Sequence, residues 1–140
     1  MQSAHAAALF LSGATVLAGV YGLVHWAVPL LPRGALLFSP AGIILAAIGT
    51  LYGAFLALST SELRETVAYS SVSHMNLVAL GIFALQEQAW SGALFLSIAH
   101  AVLAAGLFTV LAVLEARGLG SNWEGLGGLF RRMPRFGAWT

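Results

Sequence analysis

Apolar residues run almost without interruption through four stretches, about 3–28, 38–59, 62–85 and 89–115, and the polar residues gather in the gaps between them. Runs of about 20 apolar residues, at 1.5 Å per helical residue, match a hydrocarbon core of roughly 30 Å, so the pattern predicts four membrane-spanning helices. Pro29 and Pro32 end the first run, and Arg33 with Gly34 is read as the turn after it. Ser39-Pro40 predicts the start of the second helix, with serine as cap and proline at the first helical position. Ser61 with Glu65 predicts the cap of the third. Gln86-Glu87-Gln88 is the polar turn before the fourth, and Trp26 falls where interfacial aromatic rings sit. Residues 117–140 carry Gly, Arg and Trp and predict an amphipathic tail along the membrane surface. The expected fold class is all-α integral membrane, with a four-helix module over 1–116 and the tail at 117–140.

Composition strengthens this picture. The 140 residues are 59% hydrophobic and 8% charged, with a mean hydropathy of +0.89, against roughly a quarter charged in a soluble domain. Sixteen glycines suit close helix approach in lipid. A net charge of +1, with arginines only at segment ends, is too small to suggest nucleic acid as a partner, and the absence of cysteine excludes disulfides, thiol chemistry and iron–sulfur ligation. There is no P-loop, dinucleotide fingerprint, nucleophile triad or metal-ligand cluster, and the glycines from Gly118 to Gly128 are too loosely spaced for a phosphate loop. The N-terminus lacks a basic segment and a cleavage motif, so its apolar run is expected to be a retained helix. Four crossings place Arg64, Arg117, Arg131, Arg132 and Arg135 on one side and Arg33 on the other, which predicts a cytoplasmic or matrix side for the N-terminus and tail.

The candidate chemistry lies inside the membrane. His74 is some twelve residues into the third helix, or about 18 Å, and His100 is about 16 Å into the fourth, both close to mid-membrane. Ser70, Ser73 and His74 share one helical face and can hydrogen-bond each other or water, with Ser71 and Asn76 extending the polar surface. Imidazole can accept a proton on one nitrogen and donate from the other, so the pair can relay protons. Serines at such positions also serve as hydrogen-bonded helix glue, and both roles stand open at this point. His5 and His25 lie near the ends of the first helix and read as interfacial. Arg64 with Glu62 and Glu65 reads as a solvated loop cluster where a proton path could meet water.

Ser61-Glu62-Leu63-Arg64 and the following Val67-Ala68-Tyr69-Ser70-Ser71-Val72-Ser73-His74-Met75-Asn76-Leu77-Val78 resemble the central part of the subunit 4 family of proton-pumping NADH:ubiquinone oxidoreductase, respiratory complex I. Gly19-Val20-Tyr21-Gly22, Val28-Pro29-Leu30-Leu31-Pro32, Ile98-Ala99-His100, Gly127-Gly128-Leu129 and Arg132-Met133-Pro134 resemble it in the same order. The resemblance covers nearly the whole chain and corresponds to the eighth to eleventh of about fourteen helices of an antiporter-like bundle. It implies that His74 and His100 belong to a hydrated mid-membrane proton axis and that this chain carries no cofactor. It also implies a mitochondrial inner or bacterial plasma membrane. The implied partners are other membrane-arm subunits, chains supplying the missing helices, and lipids.

Two departures matter. The resemblance places a lysine at Leu17, and leucine cannot hold a proton; the loop position usually occupied by lysine is Arg64, which keeps its proton too tightly to relay it. The expectation is a piece of a split or reduced subunit that acts as part of a complex and is not catalytic alone. The alternatives are a degenerate packing module with its proton path broken at Leu17, and a free-standing small transporter.

Overall fold

The structure, a computed structural model, describes residues 16–27 and 30–118. The expected helix before Val16, His5, Pro29 and the tail from Leu119 onward lie outside the described residues, as does the side chain of Leu17. Among the described residues the regular elements are helices: α1 (Val16–Gly22), continued by a π-helical turn (Leu23–Ala27), α2 (Pro32–Ser59), α3 (Leu63–Phe83) and α4 (Glu87–Ala116). Helices α2 and α4 are long and apolar enough to cross a membrane. The 21 residues of α3 span about 31 Å at the helical rise, enough to cross, although its serines, His74 and Asn76 lower its hydropathy.

The outer surface is that of a membrane protein. Leu37, Leu58 and Phe95 are 80%, 84% and 77% exposed and belong to long apolar faces of α2 and α4. Soluble monomers rarely leave so much contiguous apolar surface bare, whereas lipid tails are as apolar as leucine and accept it without cost.

Helix boundaries depart from the sequence expectation in three places. First, α2 begins at Pro32, so Arg33 and Gly34 are helical and Pro40 lies within the helix. Pro32 suits the first turn because its missing N–H has no intrahelical acceptor there. Ser39 does not cap; its hydroxyl donates to the Phe83 carbonyl at 2.7 Å and ties α2 to the end of α3. Second, the expected cap from Ser61 and Glu65 is not formed, because Glu62 occupies the N-cap position without a side-chain capping bond. Thr66 instead donates to the Glu62 carbonyl, with the Thr60 hydroxyl 3.0 Å from its own. Third, α3 stops at Phe83 and α4 starts at Glu87.

The α3–α4 turn holds Leu85 at φ +52°, the left-handed region, while its N–H donates to the Ile82 carbonyl at 3.2 Å. The Trp90 indole N–H donates to the same carbonyl at 2.9 Å, closing the turn. Leucine tolerates this conformation at a cost, and a side chain branched at Cβ tolerates it far less. Leu85→Val is therefore expected to lower stability by about 1–2 kcal/mol, read as a lower thermal midpoint of the detergent-solubilised protein.

Helix α3 is central, packing against α2 on one face and α4 on the other. On α2 the contact stripe is Gly42, Ala46, Gly49 and Gly53, at helical spacings of four, three and four. A Cβ at Gly53 would lie 2.8 Å from the Ser73 backbone nitrogen, and one at Gly42 would lie 2.6 Å from the Phe83 ring. The absent side chains let the two backbones approach, the usual basis of helix association in lipid. Between α3 and α4, Gly81 faces Ala89 and Ala93 in the same manner. The larger core residues Val24, Val78, Ile82 and Ala93, with Val20, Met75, Trp90 and Leu96 against them, join α3 and α4 to the π-helical turn after α1.

Candidate functional site

The central position of α3 divides the polar residues that its sequence presents together. Ser73 and Asn76 face α2. The Ser73 hydroxyl donates to the Thr50 carbonyl at 2.8 Å, and Asn76 lies over Gly49 while its amide donates to the Val72 carbonyl. Ser71 donates to the Val67 carbonyl of its own helix. These bonds satisfy hydroxyls and an amide that lipid would leave unpaired.

His74 points the other way, onto α4. Its ring stacks on that of His100 with centroids 5.1 Å apart and planes 22° from parallel. Counted from Leu63, His74 is eleven residues into α3, about 17 Å along its axis and half-way down the helix. The His74 Nδ1 lies 2.8 Å from the Ser70 carbonyl oxygen. A carbonyl can only accept, so Nδ1 carries the hydrogen and donates it, leaving Nε2 as the basic nitrogen of the neutral ring. Ser70 thus contributes through its backbone.

His100 and Ser97 are the two buried polar residues of α4, at 6% and 1% exposure, on a stripe otherwise made of Ala93, Ala104, Leu111 and Leu114. The Nδ1 of His100 is buried and has no hydrogen-bond partner among the described residues. Two positive rings 5.1 Å apart would repel by about 3 kcal/mol even at an effective dielectric of about 20. A positive charge on one ring therefore disfavours a second on the other. No group of three or more His, Cys, Asp or Glu side chains suited to a metal ion occurs among the described residues.

Arg64, expected beside Glu62 and Glu65, also pairs with a residue distant in sequence. Arg64 Nη2 donates to both carboxylate oxygens of Glu115, at 2.8 and 3.1 Å, and joins the start of α3 to the end of α4. Arg64 is 53% exposed in its side chain, and an ion pair so open to screening contributes under about 1 kcal/mol. Exposed His25, on the π-helical turn, stacks on Tyr21 of α1 at 4.2 Å. The glycine stripe was not singled out from the sequence, although Gly42, Ala46, Gly49 and Gly53 carry its signal at helical spacing. The pairing of Ser73 with Thr50 had no sequence signal, because it depends on which face of α3 meets α2.

Lipid-facing helices joined through small residues, with a pair of histidines, one buried and one half-buried, at one contact, define a polytopic all-α membrane protein. The chain belongs to the NADH:quinone oxidoreductase/Mrp antiporter transmembrane family, whose sequence profile matches residues 1–140. It is 37% identical over 133 residues to NADH-quinone oxidoreductase subunit M of Pseudomonas aeruginosa, covering 95% of this chain and 26% of that protein. Identity to subunit M of Escherichia coli K12 is 34% over 132 residues, covering 94% and 26%. Identity to NADH-ubiquinone oxidoreductase chain 4 of Triticum aestivum is 33% over 136 residues, covering 97% and 28%. The chain spans about a quarter of the length of these relatives. The family expected from the Tyr69–Met75 motif is the one to which the chain belongs.

Proposed function

We propose that this chain forms part of the membrane arm of an NADH:quinone oxidoreductase and that His74 and His100 pass protons there at mid-membrane. The observation that carries the proposal is the stacked pair, with His74 Nδ1 committed to the Ser70 carbonyl and its Nε2 left to exchange. A pair of titratable rings within a membrane, one of them buried, is costly to keep without a use. In this role Ser73 fastens α3 to α2 so that His74 is aimed at α4. Partners are other membrane-arm subunits and helices beyond these 140 residues, which cover part of the bare apolar faces of α2 and α4 and leave lipid on the rest. The chain takes part in NADH oxidation coupled to proton transfer without catalysing the redox step. The membrane is mitochondrial inner or bacterial plasma membrane, and the arginine distribution favours a matrix or cytoplasmic side for the α2–α3 loop and the end of α4.

A purely structural role is the second reading. It is favoured by leucine at position 17 and by serine hydroxyls spent on backbone carbonyls at Thr50, Val67 and Leu94. The two readings separate when His74→Ala and His100→Ala are introduced into the native complex and protons moved per NADH oxidised are measured in sealed vesicles. A relay loses translocation in an assembled complex, whereas unchanged pumping and coupling overturn it.

A further inference from the structure

Ser97 has a role in the histidine pair that its own helix does not explain. Its hydroxyl donates to the Leu94 carbonyl at 2.8 Å, which uses its hydrogen and leaves the oxygen lone pairs to accept. The residue is 1% exposed on an α4 stripe where, apart from His100, the buried side chains are apolar: Ala93, Ala104, Leu111 and Leu114. Alanine would pack equally well there without desolvating a hydroxyl. Three residues on, hence on the same helical face, is His100 with its buried and unpartnered Nδ1. A serine acceptor and an orphaned imidazole nitrogen are the complementary polar groups of one buried face.

We infer that Ser97 is a positioning residue for His100, its oxygen accepting a hydrogen bond from one water that in turn accepts from the His100 Nδ1–H. A buried water placed this way has two polar partners, the minimum that retains one. The consequence concerns tautomers. The Ser70 carbonyl fixes the hydrogen of His74 on Nδ1, and a Ser97-held water that accepts at Nδ1 keeps that of His100 there. Both rings then keep Nε2 as the basic atom, where protons are taken up and released. Helix α4 thus supplies through Ser97 what α3 supplies through the Ser70 carbonyl.

The inference rests on the relay proposed above, and the experiment separates the two. Ser97→Ala, Ser97→Thr and His100→Ala are placed in the native complex, and protons moved per NADH oxidised are measured from pH 6 to 8 beside the infrared or nitrogen-15 signature of the His100 ring. Ser97→Ala is expected to lower translocation about five- to tenfold, the equivalent of one hydrogen bond. It is also expected to shift the pH profile and to mix the His100 tautomers, with Ser97→Thr restoring all three. An assembled Ser97→Ala complex with wild-type pumping and an unchanged His100 signature overturns the role of Ser97, while loss in His100→Ala alone leaves the relay standing. Wild-type pumping in His100→Ala overturns the relay itself. Should Ser97→Thr be too large for its site, the ring signature of Ser97→Ala decides by itself.

Discussion

Gly53→Leu is expected to keep α3 from seating on α2 and to abolish accumulation of the assembled protein in the membrane. Even the Cβ of an alanine at this position would lie 2.8 Å from the Ser73 nitrogen, 3.1 Å from its Cα and 3.2 Å from its Cβ. Two of these are backbone atoms that no rotamer change can move, so the helices must separate. Separation breaks the Ser73 bond to the Thr50 carbonyl and turns the His74 face away from α4. Gly53→Ala is expected to cost about 2–3 kcal/mol, in the range of an overpacked core, and the leucine more than the fold can absorb. Gly92 and Gly106 have nothing within 4 Å of an added Cβ, so alanine at either is the matched control and is expected to leave assembly intact. Membrane-fraction levels and thermal midpoints in detergent check the series; equal stability of Gly53→Ala and Gly92→Ala would show that α2 and α3 are not held by close backbone approach.

The second large effect is expected at the histidine pair, and its form matters more than its size. Because a relay through the stacked rings needs both of them, His74→Ala and His100→Ala are expected each to reduce proton translocation by about tenfold or more, with the double variant no worse than either single. Residues acting as a unit fail together. Glutamine is the discriminating replacement, since it retains size and hydrogen-bonding capacity but cannot take up a proton. His74→Gln and His100→Gln are therefore expected to assemble normally and to pump as poorly as the alanine variants. Recovery of pumping with glutamine would assign the pair to helix cohesion.

How much of this was legible beforehand depended on the residue. The helices were visible because membrane thickness sets a length that apolar runs must match, and mid-membrane histidines stood out against them. Boundaries misled where a local rule met a tertiary one. Ser39-Pro40 has the form of a helix start, yet Ser39 bonds to Phe83 on α3, and Pro32 offers the earlier start. Glu115, distant in sequence, was not foreseen as a partner of Arg64, because antiparallel packing of α3 and α4 brings it within 2.8 Å.

The sequence by itself determined the solvent, the number and kind of elements, the family and the depth of the histidines, since each follows from hydropathy, spacing or motif. Only the tertiary structure decided the partners. Ser73 and His74 are adjacent on α3 and look like one network, but neighbouring residues on a helix point about 100° apart. Because α3 is packed between two helices, that angle sends Ser73 to Thr50 of α2 and His74 to His100 of α4. The same packing buries Ser97, a residue with no motif of its own, on the helical face that carries His100 and its unpartnered nitrogen.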